Sequence, residues 1–325
     1  MSNRHLHDSL IDAFGACSRH ESETLWFGSR IAAKGRADEE TALAAVLYSR
    51  WFVLGSVSPS PSQETTLPWG CAANSVRALA QANRGKGPIV GPHRSLGTTD
   101  DGCHLIDLQG MRVAVPADHV VHFGGTGGDD ALHVRLPNEQ TWSSNGYYSA
   151  VGDLHGTAPL TLRIYLNLAP GAVVPIMAWW TEQLNEACVP YVFKVRYDLE
   201  GWTQRTDVGV GLVPIERWGD IQPLLVDLHR GSPGLFRAAV PTLVAPVLPG
   251  VGVATQPAGL LSFGLHRSRV VAEAISRGLD ARADVEAFVG IAAEVFRANG
   301  VDPEHPYRGL GEGFLPGSSE SDTRV

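Results

Sequence analysis

The chain is organised around the stretch from Thr161 to Asp198, where the hydrophobic pattern changes from strand to helix and back to strand. Apolar residues alternate with Arg163, Tyr165 and Asn167 between Leu162 and Leu168. A period of two is typical of a half-buried strand. One face of this strand is therefore apolar, and the other face carries polar groups.

The next segments complete a strand, helix and strand unit. An apolar run that continues to Ala187 suits a helix, and Val189 to Val195 predicts a second strand that contains Lys194. In a βαβ unit, or a split version of it, the two strands lie side by side or one strand apart. Arg163, Tyr165 and Lys194 can then project from one face of the sheet, within reach of one small anionic substrate.

The N-terminal part of the chain is predicted to be mostly helical. Apolar positions recur at steps of three and four from His7 to Phe14 and from Glu39 to Tyr48, so the whole segment from about Leu6 to Leu54 is interpreted as packing helices. A Pro/Ser-rich connector, Ser56 to Pro68, follows as an exposed loop, and Ala72 to Asn83 predicts a further helix.

Short β segments are expected before the central strand. Gly85 to Gly102 is predicted to be a loop, and Cys103 to Phe123 alternates in short segments with a hairpin turn at Gln109-Gly110. The glycine-rich run Gly124 to Gly128 lacks a following Lys-Ser/Thr pair, which favours a flexible turn over a nucleotide loop. Gln140 to Gly156 is interpreted as a polar and aromatic approach to the central strand.

The C-terminal part alternates strands and helices. The pattern predicts a strand at Val208 to Pro214, a helix at Glu216 to His229 and an extended Pro/Gly-rich segment at Pro241 to Pro257. A helix with Ser262 as a candidate cap follows, and a last helix is predicted at Asp284 to Asn299. The tail from Gly317 is predicted to be disordered.

Composition and charge narrow the class of protein. A length of 325 residues can hold two domains, and 44% hydrophobic residues describe an ordinary globular protein. The formal net charge of -8 excludes a whole-chain basic field and so argues against nucleic-acid binding, although a local basic patch is left open. Neither a signal sequence nor an apolar run of membrane-spanning length is found, so we expect a cytoplasmic protein without membrane attachment.

The four cysteines predict neither a disulfide framework nor a metal site. Cys17, Cys71, Cys103 and Cys188 are scattered without a CxxC pair, which fits reduced thiols.

Four positions supply candidate chemistry: Arg163 with Tyr165, Lys194, Arg205, and the cluster of His266, Arg267 and Arg269 at a helix start. Arginine presents planar forked donors to phosphate oxygens, and a helix N-terminus adds backbone donors and a favourable dipole. Together these residues predict a phosphate pocket. A lysine in such a pocket can remove a carbon-bound proton if burial or nearby cations lower its pKa from about 10.4.

Each of these residues also has a structural interpretation. Arg163 and Arg205 can pair with surface carboxylates, and Lys194 can point to solvent. Tyr165 can be a structural aromatic, and His266 can be a helix cap or a packing residue. The combination favours function, because three strands and a helix start supply cations without matching carboxylates close in sequence.

Five segments resemble the HopA-type effector family: RIYLNLAP (Arg163 to Pro170), VPYVFKVRYD (Val189 to Asp198), QRTDVGVGLVP (Gln204 to Pro214), VPTLVAPVLPGVGVATQP (Val240 to Pro257) and SFGLHRSRVVAEAI (Ser262 to Ile275). The resemblance covers Thr161 to about Tyr307 and is weak before that. The family includes type III effectors and the stand-alone lyases of class V lanthipeptide and thioamitide pathways. Those lyases eliminate phosphate from phosphothreonine or phosphoserine of a precursor peptide and leave dehydrobutyrine or dehydroalanine.

The resemblance implies roles for particular residues. Lys194-Val195 matches the lysine base of related phosphothreonine lyases, and Arg163 matches their basic phosphate ligand. Tyr165 falls where those enzymes carry a histidine that protonates the leaving oxygen. The general acid is therefore Tyr165, or His266, or none, with the phosphate leaving as a dianion. Arg205, Arg267 and Arg269 are the further phosphate-binding candidates, and Asp207 and Asn167 are the orienting candidates.

The fold class implied is α+β. Residues 1–155 are predicted as a helical N-terminal region with short β segments, residues 156–312 as an α/β lyase domain with a mixed sheet flanked by helices, and residues 313–325 as a tail.

The expected chemistry uses no cofactor and no metal. The expected partners are a phosphorylated precursor peptide and a separate Ser/Thr kinase-like protein, with a cyclase partner and a homodimer as further options. Two alternatives stay open: a non-catalytic phosphopeptide- or leader-peptide-binding partner of a kinase, and a type III effector-like protein.

Overall fold

The computed structural model describes residues 4–20, 23–31, 36–58, 69–108, 110–121, 131–140, 146–197, 204–259 and 261–314. The helices in these ranges are α1 (Arg4–Gly15), α2 (Arg36–Leu47), a π-helical turn (Tyr48–Phe52), α3 (Trp69–Ala82), α4 (Val173–Glu186), α5 (Trp218–Gly231), α6 (Phe263–Asp280) and α7 (Val285–Ala298). The first eight strands are β1 (Cys17–His20), β2 (Glu23–Trp26), β3 (Ser29–Arg30), β4 (Ile89–Thr98), β5 (His104–Leu108), β6 (Met111–Val115), β7 (Val120–Val121) and β8 (Ala131–Arg135). The remaining strands are β9 (Glu139–Gln140), β10 (Tyr147–Val151), β11 (Leu162–Leu166), β12 (Val192–Arg196), β13 (Gly209–Val213), β14 (Ala245–Leu248) and β15 (Val251–Thr255).

A seven-stranded sheet forms the centre of the molecule, with the strand order β14-β15-β11-β13-β12-β10-β9. The split unit predicted from the sequence is present, because β11 and β12 are joined by α4 and lie one strand apart, with β13 between them. The α+β class is confirmed. The expected mixed sheet is wrong, since every pairing described in this sheet is antiparallel. The reason is that β13 fills the gap between the two parallel strands in the opposite direction.

The two faces of this sheet are covered by different elements. On one face α4 packs closely, and its Trp180 ring stacks on Phe193 with ring centroids 4.5 Å apart. Gly211 makes this approach possible, because a Cβ added there would lie 2.3 Å from the Trp180 ring. On the other face Tyr165 packs against Phe52 of the π-helical turn and Phe263 of α6.

The segment between α1 and α2 is a small antiparallel sheet of β1, β2 and β3, so the continuous helical region expected from Leu6 to Leu54 is wrong there. The turn between β2 and β3 places Phe27 and Gly28 at φ values of 47° and 74°. Two successive positive φ angles are typical of the tight hairpin turn that reverses a strand. Local turn geometry therefore overrides the helical period at this point.

The segment predicted as a loop from Gly85 to Gly102 contains β4, the central strand of a five-stranded antiparallel sheet ordered β6-β5-β4-β8-β7. The prediction failed because β4 depends on its partner strands and has mostly exposed side chains, so its own sequence has little hydrophobic period. The hairpin at 109–110 is confirmed by the pairing of Leu108 with Met111 around Gly110, although Gln109 lies outside the described residues.

The helices from α4 onward agree closely with the sequence. Ser262 accepts a hydrogen bond from the backbone N–H of Leu265, as its predicted cap role requires, and Asp284 caps α7 through the N–H of Ala287. The extended segment from Pro241 to Pro257 forms the hairpin of β14 and β15. Residues 59–68 of the connector, the glycine-rich run at 124–128 and the tail from 317 lie outside the described residues.

One hydrophobic core includes residues from both ends of the chain. Leu43, Leu47 and Trp51 belong to the same buried cluster as Ile164 and Phe263. Strands β9 and β10 precede the predicted boundary at residue 155, and β10 pairs with β12 of the central sheet. The division into residues 1–155 and 156–312 stays a prediction about domain organisation.

Candidate functional site

Strand register brings three of the predicted site residues to one sheet face. Tyr165 and Lys194 both pair with Val210 of β13, from opposite sides, and Arg163 pairs with Leu212. Cross-strand partners project from the same face, so these side chains share the face opposite α4. Two strand spacings separate the Cα atoms of Tyr165 and Lys194 by about 10 Å.

Lys194 is half-buried. Burial lowers the pKa of its ammonium group, and the positive charge of Arg163 lowers it further. An amine with a lowered pKa is neutral in a larger fraction of molecules and is a better proton acceptor at neutral pH. Of the two causes considered from the sequence, loss of solvation is the larger and the nearby cation the smaller.

Arg163 is half-buried and donates its Nε–H to Oε1 of Gln256. Among the residues that the structure describes, no carboxylate forms an ion pair with its guanidinium. Its partner is a neutral amide, so the charge of Arg163 is available to an anion. Sequence reasoning missed Gln256, although it follows β15, the strand that pairs with β11 on its other side.

Tyr165 is 3% exposed and lies under the aromatic rings of Phe52 and Phe263. Burial raises the pKa of its hydroxyl, and Arg163 opposes this rise. Because the raised pKa keeps the phenol protonated, Tyr165 is suited to donating a hydrogen bond but is a weak proton donor in the sense of full transfer.

Arg205 does not present a free cation. Its Nε and Nη2 atoms each lie 2.9 Å from a carboxylate oxygen of Asp207, and the arginine is 2% exposed. Tyr147 places its hydroxyl 3.4 Å from Asp207 Oδ2, and Tyr48 lies 3.4 Å from Arg205 Nη2. The expectation that no carboxylate matches these cations close in sequence is therefore wrong, because Asp207 is only two residues away.

Arg205 and Asp207 thus form a bidentate buried pair, the geometry in which a guanidinium is best neutralised. Asp207 holds Arg205, and the orienting role given to it in the site stays a prediction. The phosphate contact predicted for Arg205 stays a prediction, and the pairing supports a structural role.

Arg267 ties α6 to the C-terminal segment. It donates to the backbone oxygens of Pro306 and Arg308 at 2.6 and 3.2 Å, and it lies over the Phe263 ring. It is 2% exposed. These contacts occupy the donors that a phosphate would need, whereas Arg269, two residues further along α6, is exposed.

His266 is held as a neutral imidazole. Burial, with Arg267 and Arg269, lowers its pKa to about 4. Arg267 Nη1 lies 2.8 Å from Nδ1 of His266, and an arginine can only donate, so this contact assigns the imidazole proton to Nε2. Neutral His266 can donate a hydrogen bond from Nε2, but it is not an imidazolium acid at neutral pH.

Asn167 lies at the end of β11 and donates from its side-chain amide to the backbone oxygen of Ala239 at 2.8 Å. It is 3% exposed. The structure therefore places this residue as a link between β11 and the segment before β14, and the orienting role given to it stays a prediction.

Metal binding and membrane spanning find no support in the described part of the chain. No group of three or more His, Cys, Asp or Glu side chains is arranged there to hold a metal ion. Cys17, Cys103 and Cys188 are free thiols. None of the helices described is both long enough and apolar enough to cross a membrane.

The comparison with protein families decides the family. The model of the HopA1 effector protein family matches residues 139–308, more than half of the chain. The chain belongs to the HopA1 effector protein family. The resemblance identified in the sequence motifs is confirmed.

Two solved structures resemble this HopA1-family chain. The effector protein from Pseudomonas syringae pv. tomato strain DC3000 is 12% identical, with 94% of this chain and 97% of that chain covered and a TM-score of 0.53. The effector protein from Pseudomonas syringae pv. syringae strain 61 is 15% identical, with 82% and 89% covered and a TM-score of 0.48. At such identities the first similarity shows a shared fold alone. The comparison with curated proteins finds no match.

The HopA1 match contains the whole seven-stranded sheet, from β9 to β15, and with it Arg163, Lys194 and Gln256. Helices α1, α2 and α3 precede the matched residues. The π-helical turn also precedes the match, yet Phe52 contacts Tyr165 on the face that carries the candidate site.

Proposed function

We propose that this HopA1-family protein is a phosphothreonine/phosphoserine lyase. It eliminates phosphate from a phosphorylated precursor peptide and leaves dehydrobutyrine or dehydroalanine, the chemistry of lanthipeptide and thioamitide biosynthesis. The observation that carries the proposal is that two basic side chains, Arg163 and Lys194, lie on one face of the sheet. Arg163 there has no carboxylate partner among the described residues, and Lys194 is an amine whose pKa is lowered.

In the proposed reaction Lys194 Nζ takes the α-proton of the phosphorylated residue. The electron pair of the Cα–H bond forms the Cα=Cβ double bond, and the Cβ–O bond breaks with its electrons on the phosphate oxygen. Arg163 stabilises the charge that accumulates on the leaving phosphate. A neutral amine beside a cation suits this step, because Lys194 accepts the proton while the anion forms beside Arg163.

The leaving phosphate also needs a proton donor. The second pKa of a phosphate monoester is about 6, so the bound group is mainly a dianion at neutral pH, and its departure as a dianion requires one proton on the leaving oxygen. Tyr165 has a raised pKa and His266 is neutral, so neither is a strong acid. Without a proton the leaving group would be a strongly basic trianion, so a weak acid is sufficient. The proton passes from the Tyr165 hydroxyl or from Nε2 of His266 to the bridging oxygen as the Cβ–O bond breaks, and Arg163 stabilises the departing dianion.

The deciding experiment substitutes the base. Lys194→Ala is expected to bind a synthetic phosphothreonine peptide but to lower the elimination rate by about 10²- to 10⁴-fold, the usual contribution of a positioned general base. Mass spectrometry detects elimination as the loss of one phosphoric acid from the peptide. Lys86→Ala, at an exposed lysine of the preceding region, is the matched control and is expected to react like the wild type.

Undiminished elimination by the Lys194→Ala variant would contradict the assignment of the base. The alternative function is phosphopeptide or leader-peptide binding without turnover, as a kinase partner or an effector-like protein. The similarity in fold to the effector protein from Pseudomonas syringae pv. tomato strain DC3000 is compatible with it. Binding of the phosphopeptide by the wild type without any change of mass would support this alternative.

The partners follow from the proposed reaction. A separate Ser/Thr kinase-like protein must supply the phosphorylated residue, and a cyclase can consume the dehydro residue by thiol addition. A second copy of this chain is a further candidate partner.

A further inference from the structure

We propose that Gln256 is a positioning residue that keeps Arg163 an uncompensated cation directed at the anion. The inference rests on the proposed function only for the identity of that anion, a phosphorylated residue. Gln256 touches neither the reacting atoms nor Lys194 in this role; it acts through Arg163.

The first observation is that Gln256 is held on three sides. Its backbone N–H donates to the Thr161 oxygen at 2.7 Å, and its side-chain Nε2 donates to the Leu261 oxygen at 3.4 Å. With Nε2 directed at a carbonyl, the amide presents Oε1 to the Nε–H of Arg163. The side-chain amide of a glutamine can be assigned in either of two orientations. Here only this orientation gives an acceptor both to Nε of Arg163 and to Nε2 of Gln256.

The second observation is the geometry of the guanidinium. The bond to Gln256 uses the Nε–H of Arg163, which lies nearest the side-chain stem. The terminal Nη atoms form the end of the planar fork, and they carry the donors that pair with two phosphate oxygens. Restraining Nε therefore fixes the plane of the fork. The Tyr165 hydroxyl is a further hydrogen-bond partner of this guanidinium, and because both partners are neutral, neither cancels its charge.

The third observation is a contrast inside the same protein. Arg205 is held through its Nε by Asp207, a carboxylate, which also takes one terminal nitrogen and cancels the charge. Arg163 is held through its Nε by a neutral amide. Both partners fix an arginine, but only the amide leaves the positive charge in place. The choice of Gln at position 256 is thus the feature that separates a ligand-binding arginine from a structural one.

The charge of Arg163 also acts on Lys194. Among the described residues, register places Arg163 and Tyr165 on β11, Tyr147 on β10 and Arg196 on its own strand on the face of Lys194. The elements packed on that face add Tyr48, the Arg205–Asp207 pair and His266. Of these, Arg163 is the neighbour whose charge lowers the pKa of Lys194. A carboxylate at position 256 would cancel that charge, and the pKa of Lys194 would rise.

The test compares three variants of the full chain. Gln256→Glu keeps the shape and the acceptor but adds a negative charge. Gln256→Leu removes the acceptor without adding charge. Gln81→Glu makes the same charge change at an exposed position of α3, which packs on α4, away from the site face. Binding of inorganic phosphate is measured by calorimetry, and the titration of Lys194 by competitive acetylation across pH with mass spectrometry.

We expect Gln256→Glu to weaken phosphate binding tenfold or more and to move the titration of Lys194 to higher pH. Gln256→Leu should weaken phosphate binding less and leave that titration nearly in place, and Gln81→Glu should change neither. Thermal melting confirms that each variant is folded. Unchanged phosphate binding and an unchanged Lys194 titration in Gln256→Glu would overturn the inference, as would a wild type that does not bind phosphate.

Neither readout depends on elimination. If the wild type never eliminates phosphate but both shifts occur, the proposed lyase activity fails and the role of Gln256 stands. If elimination occurs and neither shift is seen, the role of Gln256 fails alone.

Discussion

Arg163 and Arg205 are both arginines in or beside strands of one sheet, yet their partners make them different residues chemically. Asp207 neutralises Arg205 through two hydrogen bonds of 2.9 Å. Gln256 holds Arg163 without neutralising it. A carboxylate partner cancels the charge that would attract a phosphate, so Arg163, and not Arg205, keeps an uncompensated and half-exposed cation.

The pH dependence of elimination tests the link between Arg163 and Lys194. The neutral amine is the base, so kcat/KM should rise with pH and level off above the pKa of Lys194. That pKa lies below the usual lysine range because of burial and Arg163. Arg163→Gln removes the positive charge that lowers the pKa of Lys194. That pKa then rises, and the increase of kcat/KM with pH moves to higher pH, even though the maximum value of kcat/KM also falls.

Arg230→Gln is the control for this profile. It makes the same charge change on the surface of α5, where the side chain is 75% exposed and pairs with Asp227. The increase of kcat/KM with pH in Arg230→Gln should coincide with that of the wild type. If the increase of kcat/KM with pH does not move in Arg163→Gln, the charge of Arg163 does not affect the pKa of Lys194.

The buried pair of Arg205 and Asp207 makes a prediction about stability. Asp207→Asn leaves a guanidinium of 2% exposure without its counter-charge. Breaking one side of a buried ion pair typically costs about 3–5 kcal/mol of unfolding free energy. Urea unfolding measures this loss.

The matched substitution Asp227→Asn breaks the exposed pair with Arg230. A surface change of this kind should alter the unfolding free energy by no more than about 0.5 kcal/mol. Equal effects of the two substitutions would mean that the Arg205 pair contributes no more than a surface contact.

The packing of α4 on the central sheet depends on one residue without a side chain. Gly211→Ala would place a Cβ 2.3 Å from the Trp180 ring, which is stacked on Phe193 and fully buried. Overpacking of a closely packed core costs about 1–3 kcal/mol. Thermal unfolding should therefore show a lower melting temperature for this variant.

Gly290→Ala is the control for Gly211→Ala. Gly290 lies in α7, and a Cβ added there meets nothing within 4 Å. Alanine is favoured over glycine inside a helix by about 0.5–1 kcal/mol, so this variant should be as stable as the wild type or more stable. A Gly211→Ala variant of unchanged stability would contradict the packing argument.

Elements were predictable where their signal is local. Helices α4 to α7 have a hydrophobic period or capping residues in their own sequence. Ser262 caps α6 as expected, and Asp284, the predicted first residue of the last helix, caps α7. Strand β4 and the small sheet of β1 to β3 were missed. Their stability comes from partner strands and from a tight turn at Phe27 and Gly28, neither of which produces a hydrophobic period.

The N-terminal helices and the central sheet share one core, whereas the five-stranded sheet has its own cluster of Ile106, Val115, Leu132 and Val134. Phe52 is buried against Tyr165 and Phe263, and the backbone of the π-helical turn accepts hydrogen bonds from Thr242. A fragment of residues 156–314 would lose β9, β10 and this aromatic cover. It would then expose the apolar surroundings of Tyr165 to water.

We therefore expect the 156–314 fragment to lack a cooperative thermal transition and to bind a hydrophobic dye, while the full chain unfolds in one sharp transition. Circular dichroism and dye fluorescence provide the measurements. A fragment that melts sharply would instead support the boundary at residue 155 that the sequence predicted.

The sequence by itself determined the α+β class, the split strand-helix-strand unit and the common face of Arg163, Tyr165 and Lys194, because a period of two fixes which side chains share a face of a sheet. It could not determine which arginine keeps its charge. The partner of Arg163 is 93 residues away, directly after the neighbouring strand β15, while Arg205 folds back onto a carboxylate two residues from it. Only the folded chain sets those distances, and the electrostatics of the site depend on them.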